Sequence, residues 1–170
     1  MKGVREMRFR RIHKTDIPPW LAMRRALWPR CPLRDHKKEM AEILGDARNQ
    51  PVWVAESDNG KLVGFLEASV RNYADGAGRE NVGYLEGWYV RPTFRKKGVG
   101  KALVRAAEEW ARGRGYKHMG SDTWIGNRNS HRAHLAMGYR EVGRDVHYVK
   151  RLRPAPAKYA KKRETHGKDQ

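Results

Sequence analysis

The segment Trp88-Tyr89-Val90-Arg91-Pro92-Thr93-Phe94-Arg95-Lys96-Lys97-Gly98-Val99-Gly100-Lys101-Ala102-Leu103 decides the fold. It reads as the end of a buried strand, a Pro-bearing turn, a basic loop containing Gly, and the start of a helix. From Gly98 to Arg112 the apolar residues Val99, Leu103, Ala106/Ala107 and Trp110 recur three and four apart, which is one helical face. This arrangement suits an anion. Gly98 and Gly100 lack a Cβ, so the backbone can come close to a ligand. The first N–H groups of a helix have no partner within it, and the helix dipole adds partial positive charge there. Arg95, Lys96 and Lys97 add full charges. The Gly-x-x-x-x-Gly-Lys-Ser/Thr loop is absent, and so is a dinucleotide fingerprint. A basic turn capping an ordinary helix is the plainer alternative.

Outward from this segment, strand and helix signals alternate. Met7–Ile12 is expected as a short strand. Thr15 or Asp16 caps a helix toward Trp28, with Pro18 and Pro19 in its first turn and Pro29 past its end. A second helix is expected from Asp35 to Gly45. Val52–Glu56 and Leu62–Arg71 read as strands joined at Asp58-Asn59-Gly60-Lys61, whose Asn-Gly centre marks a tight hairpin. Asn72–Glu80 is a loop, and Val82–Val90 is a long apolar strand interrupted by Glu86 and Gly87. After the central helix come a strand over Lys117–Ser121 and a helix over Asn129–Ala136 that ends at Gly138. Two last strands are expected over Tyr139–Glu141 and Asp145–Lys150. The interleaving gives a mixed α/β class. One domain spans 7–151, between a basic extension (1–6) and a basic tail (152–170) expected to be disordered.

Charge is the oddest property. The 170 residues carry 37 Lys+Arg against 19 Asp+Glu, a formal net charge of +18. Such a chain is drawn to nucleic acid, anionic membrane or anionic small molecules, and repels a polycation at long range. Much of the excess is local: the stretch 151–170 has seven Lys/Arg against two acids. No helix-turn-helix, RNA-recognition or zinc pattern supports a nucleic-acid-binding module. Weak, non-specific attraction to nucleic acid is the most the tail would add. The single cysteine, Cys31, excludes a disulfide framework and a Cys-rich zinc site, and no metal is expected. It points to the cytoplasm, far in sequence from the other motifs. No apolar run approaches the ~18 residues of a membrane span, and the N-terminus is not a secretory signal.

Arg95-x-x-Gly98-x-Gly100, between a strand and a helix, resembles the pyrophosphate loop of the GNAT acetyltransferase superfamily. The resemblance implies a central, mixed, mostly antiparallel twisted sheet flanked by helices, with acetyl-CoA as cofactor. The amides of Lys97, Gly98, Val99, Gly100 and Lys101 would hold the pyrophosphate, beside Arg95 and Lys96. The strand at Trp88, Tyr89 and Val90 would pair its backbone with the pantetheine arm. Asn127/Asn129, Ala133, His134 and Met137-Gly138-Tyr139 resemble the family's Asn-to-Gly-Phe segment, which adds Asn127 and Asn129 to the cofactor site. Many members carry a Tyr where His134 stands, which protonates the departing thiolate. That leaves His134, Tyr139 and Tyr148 as candidates for the acid, and a packed helix histidine as the alternative for His134.

Leu27-Trp28-Pro29, Tyr84-Leu85-Glu86-Gly87-Trp88-Tyr89-Val90 and Gly120-Ser121-Asp122-Thr123 narrow the resemblance to the aminoglycoside 6'-N-acetyltransferases. It runs from about Met7 to Arg151. It implies direct acetyl transfer in a ternary complex to a cationic amine, the 6'-amino group of an aminoglycoside, by an enzyme that is commonly a homodimer. Such an amine arrives as an ammonium, and carboxylates both bind the cation and remove its proton. By resemblance Asp122 is the favoured base, with Glu86 beside it. Trp28 offers a flat wall to a sugar ring, and Tyr73 matches a substrate-loop aromatic. The apolar neighbours of Glu86 suggest burial; a solvent-facing strand residue is its alternative, and a turn cap that of Asp122. Independently of any family, Asp35, Glu39, Glu42 and Asp46 fall at i, i+4, i+7 and i+11, one acidic helical stripe. Asp35 and Glu39 are therefore candidate substrate contacts, against the reading of a solvated face. A GNAT enzyme for a polyamine, an amino acid derivative or a protein N-terminus is the competing assignment.

Overall fold

The structure, a computed structural model, describes residues 7–153; the extension 1–6 and the tail beyond residue 153 lie outside the described residues. Its elements are β1 (Arg8–Arg11), α1 (Ile17–Leu27), α2 (Leu33–Gly45), β2 (Val52–Glu56), β3 (Leu62–Arg71), β4 (Val82–Val90), α3 (Val99–Gly113), β5 (Met119–Ser121) and α4 (Arg128–Ala136). The strands form one sheet in the order β1-β2-β3-β4-β5. The first four run antiparallel, and β5 joins β4 in parallel. The expected mixed, mostly antiparallel sheet is the one found.

Three layers follow from the alternation of side chains along β3. Phe65 faces α1 and α2 in a cluster with Trp20, Met23, Met40 and Val54. Leu66 faces α3 in a second cluster with Leu85, Leu103, Val104 and Ala107. Both are fully buried, each contributing about 1.5–3 kcal/mol of burial energy. Because helices cover both faces, β3 reads as an apolar run rather than an alternation.

Two irregularities in β4 shape what lies above it. The register with β3 passes from Glu67↔Gly87 to Ala68↔Leu85, so Glu86 is the extra residue of a β-bulge. On its other edge, β4 pairs with β5 only through Gly83, Tyr84 and Leu85. β5 ends at Ser121, so residues 86–90 have no strand partner on that side among the described residues, which leaves an open wedge beside β4.

Several boundaries differ from those expected. Asp16 does not cap α1 with its side chain. Residues 14–16 form a 3-10 turn, and the Asp16 carboxylate accepts from the His13 N–H at 2.8 Å and from Arg10 at 2.6 and 3.0 Å. The second helix begins at Leu33 because Pro32 supplies the extended residue before it. The last two expected strands, Tyr139–Glu141 and Asp145–Lys150, are not formed: residues 139–153 carry no regular structure. Val142 packs over the 72–80 loop, where a Cβ on Gly76 would lie 2.7 Å from its Cγ1. Beyond it Val146, Tyr148 and Val149 are 74%, 92% and 100% exposed. Without a neighbouring backbone to bond among the described residues, the apolar pattern there yields no ladder.

Candidate active site

The wedge between β4 and β5 ends at the N-terminus of α3. Gly98 adopts φ +81°, and a Cβ built on it would meet no atom within 4 Å. No side chain caps this helix end, so its first N–H groups face outward. Gly100 lets the helix sit against the strand end, its Cβ position 3.7 Å from Val90 Cγ2. Lys96 also has a positive φ, 59°, and Lys96, Lys97 and Lys101 are exposed. Arg95 is engaged differently: its Nε donates to the Val90 carbonyl at 2.9 Å and ties the loop to the strand. A left-handed glycine in open space, uncapped amides and exposed lysines fit a pyrophosphate.

Trp88, Tyr89 and Val90 offer backbone rather than side chains to the wedge. The Trp88 ring stacks on His134, centroids 5.0 Å apart. Tyr89 lies on the opposite face, 6.4 Å from Phe65, and Val90 is buried. Asn127 and Asn129 shape α4: Asn127 Oδ1 accepts from the Ser130 N–H at 3.1 Å, and Asn129 Oδ1 accepts from Arg132 at 2.8 Å.

A cavity of about 780 Å³ lies on the other face of the sheet, walled by Trp28 and lined by Glu39, Glu42, Glu67 and Glu86. Cys31, two residues past Trp28-Pro29, also lines it. The tip of α1 closes over β4 because Gly87 leaves room: a Cβ there would be 2.5 Å from Trp28 Cζ2. Arg24 braces the wall from beneath. It is buried, pairs with Glu67 at 2.7 Å and with Glu39, and sits 4.8 Å from the Trp28 ring. Trp20 Nε1 donates to the other Glu67 oxygen at 2.8 Å. Burial pushes the Glu67 carboxyl up to about 7, against the pull of Arg24.

Glu86, which lines the cavity, and Asp122, which does not, belong to one polar chain. The bulge turns Glu86 to the face of Ser69 and Arg71; it accepts from the Ser69 hydroxyl and from Arg71 at 2.5 and 3.0 Å. The Arg71 guanidinium lies 3.4 Å over the Tyr84 ring, and the Tyr84 hydroxyl donates to Asp122 at 2.9 Å. Burial and Asp122 raise the Tyr84 phenol, so it stays a donor. The suggested burial of Glu86 is corrected: it is exposed at the cavity edge, because the bulge swings it out of the core.

Other expected residues fall elsewhere. Asp35 pairs with Arg34 at 3.3 Å and does not line the cavity. Asp46 lies past the end of α2 and binds Asn49. The acidic stripe thus delivers only its middle, Glu39 and Glu42, to the cavity lining. Tyr73 is exposed and donates to Asp75, outside the cavity lining. Tyr148 is exposed, whereas Tyr139 packs edge-on to His134 at 5.5 Å. Arg24, Glu67, Arg71, Tyr84 and Ser121 were not anticipated. For Glu67 the signal was available: an acid in the middle of an apolar strand needs a buried partner.

The Acetyltransferase (GNAT) family model matches residues 19–139. This chain belongs to the GNAT family. Among its named relatives, the aminoglycoside N(6')-acetyltransferase type 1 of Klebsiella aerogenes is 47% identical over 135 residues, 78% of this chain and 89% of that one. The enzyme of the same name from Stenotrophomonas maltophilia is 35% identical, over 86% of this chain and 94% of its own. The structure of AAC(6')-Iy in complex with the bisubstrate analogue CoA-S-monomethyl-acetylneamine superposes with a TM-score of 0.80 at 36% identity, covering 86% of this chain and 99% of that one. As a GNAT acetyltransferase, the chain uses acetyl-CoA, and its wedge and α3 N-terminus provide the matching cradle.

Proposed function

We propose that the chain transfers the acetyl group of acetyl-CoA to the 6'-amino group of aminoglycosides, directly and within a ternary complex. One observation carries the reading: a wedge ending in an anion cradle opens on one side of β4, and a cavity with four glutamates opens on the other. The net +18 of the chain does not oppose this, because the acids are concentrated where the cation would sit.

The loop amides from Lys97 to Lys101 hold the pyrophosphate, and the free backbone of residues 86–90 aligns the pantetheine arm. Those N–H groups also stabilise charge that develops on the thioester oxygen. Trp28 is the flat wall for a sugar ring. Glu39, Glu42 and Glu86 bind ammonium groups, while Arg24 neutralises Glu67 and keeps the wall in place. Asp122, oriented by Tyr84, takes the proton of the attacking amine, with Glu86 linked to it through Arg71 and Tyr84. His134 supplies the proton for the leaving thiolate.

We also infer a homodimer in the cytoplasm, where acetyl-CoA is available. Support for the dimer comes from the segment after Val142, whose apolar side chains Val146, Tyr148 and Val149 are exposed among the described residues, and from the outer edge of β5, unpaired among them. A second copy would cover both. Among the described residues no helix is long and apolar enough to cross a membrane.

The test is thiol release from acetyl-CoA with kanamycin, with tobramycin and with an analogue bearing a 6'-hydroxyl. Turnover with the two amines and none with the hydroxyl compound is expected. Equal turnover with the analogue refutes the regiochemistry, and turnover with polyamines alone refutes the substrate class.

A further inference from the structure

We propose that Ser121 is a catalytic residue, a relay that hands its hydroxyl proton to the departing thiolate and takes one back from His134. The proposal rests on acetyl transfer within the wedge.

Ser121 is the last residue of β5 and the partner of Leu85, so it stands at the apex where the two strands part. Its Oγ lies 2.8 Å from His134 Nε2 and 3.3 Å from the Leu85 carbonyl oxygen. The other ring nitrogen, Nδ1, lies 2.8 Å from the Ser130 carbonyl oxygen. The Ser130 hydroxyl also lies 3.3 Å from this nitrogen; the carbonyl is the nearer partner and only accepts, which favours a hydrogen on Nδ1 in either charge state. The neutral ring therefore presents a lone pair at Nε2, to which the Ser121 hydroxyl donates. When the ring is protonated, Nε2–H donates to Ser121 Oγ, and the hydroxyl hydrogen turns to the Leu85 oxygen. Both states are fully bonded, and the serine is the hinge between them.

The imidazole has little freedom to act alone. Trp88 stacks on one face at 5.0 Å, and Tyr139 meets it edge-on at 5.5 Å. Its two nitrogens are committed to Ser130 and Ser121. A proton leaving Nε2 for the wedge passes through Ser121. In the balanced step the Ser121 O–H bond breaks as an S–H bond forms on the leaving group. The His134 Nε2–H bond breaks as a new Ser121 O–H bond forms. His134 is left neutral, with its hydrogen on Nδ1, and water recharges it before the next turnover. The proton removed from the amine leaves through Asp122 to water.

The experiment uses the full chain with S121A, S121T, H134Q and the S121A/H134Q double variant. In the neutral form of the ring, imidazole ¹⁵N spectra of the free protein should show the hydrogen on Nδ1, with Nε2 shifted by an accepted hydrogen bond. S121A should keep that tautomer and lose the shift. With acetyl-CoA and tobramycin, S121A should lower kcat at least ~10-fold while the calorimetric affinity for CoA stays within about twofold. S121T should recover most of the rate, and the double variant should be no slower than the slower single one. Turnover of S121A within about twofold of the parent overturns the relay, as does a parallel loss of CoA affinity, which would make Ser121 a tether for α4. A slow H134Q beside a normal S121A means that His134 reaches the thiolate unaided; the relay then fails and acetyl transfer stands. If the parent chain releases no thiol with any amine, the reading beneath the relay fails, and the relay falls with it whatever the spectra show.

Discussion

The indole of Trp28 fills the space that a side chain on Gly87 would occupy, its Cζ2 2.5 Å from the Cβ position. The cavity wall therefore depends on a missing methyl group in β4. Gly87→Ala should force the indole outward, at a cost of about 1–3 kcal/mol in stability. The KM for an aminoglycoside should rise roughly tenfold, equivalent to about 1.4 kcal/mol of lost binding. The KM for acetyl-CoA, bound across the sheet edge, should not change. Steady-state kinetics with each substrate varied in turn checks this; equal effects on both would mean that the substitution disturbs β4 as a whole.

Asp122 sits one residue past β5, and the Tyr84 hydroxyl fixes one of its oxygens at 2.9 Å. If the other oxygen takes the amine proton, Asp122→Asn should lower kcat about 10²- to 10⁴-fold and leave CoA affinity intact. Tyr84→Phe should cost much less, because it frees the carboxylate without removing it. Turnover numbers measured beside calorimetric CoA titrations separate the two effects. An unchanged kcat for the asparagine variant removes Asp122 as the base.

Gly98 holds a left-handed φ of +81° at the mouth of α3, with no atom within 4 Å of its Cβ position. Gly98→Ala should lower stability by about 1 kcal/mol through backbone strain. It should weaken CoA binding more, since the added methyl enters the space left for the phosphates. Thermal unfolding and CoA titration of the same sample give the two numbers. A large loss of stability with normal CoA affinity would make this glycine a purely structural turn.

The sequence disclosed those features that depend on neighbours along the chain. The Arg95–Gly100 loop, the Asn-Gly hairpin and the apolar face of α3 are local patterns, and each was found where its spacing required. Features that depend on contacts between distant segments were hidden. Arg24 and Glu67 lie 43 positions apart, and only the packing of α1 on β3 makes them partners. Glu86 was read as buried because its neighbours are apolar, yet a one-residue bulge reverses the side on which it emerges. Of the stripe from Asp35 to Asp46, the helix ends before Asp46, and only Glu39 and Glu42 line the cavity, which the packing of α2 decides and the spacing does not. The last two strands were legible as alternation and failed for lack of a neighbour, which an isolated sequence does not reveal.

The pair of Arg24 and Glu67, joined at 2.7 Å and both buried, makes stability depend on pH in a direction that can be derived. Burial raises the Glu67 carboxyl from its ordinary 4.5 to about 7. A carboxyl raised in the folded state binds its proton more tightly there than in the unfolded chain. Its contribution to stability is therefore fully present below about 4.5 and is lost as pH rises to about 7. Removing the guanidinium in Arg24→Met withdraws the charge that opposes this shift, so the window extends to higher pH. The variant should be only mildly destabilised at pH 5, where Glu67 is protonated in the fold. At pH 8 the loss should approach the roughly 3–5 kcal/mol typical of a buried charge deprived of its partner. Adding Glu67→Gln should remove that pH dependence, because no charge is left to bury. Urea unfolding of the parent, Arg24→Met and the double variant at the two pH values measures all three quantities. A destabilisation that is equal at pH 5 and pH 8 would show that Arg24 acts through packing against Trp20 and Trp28 rather than through the charge of Glu67.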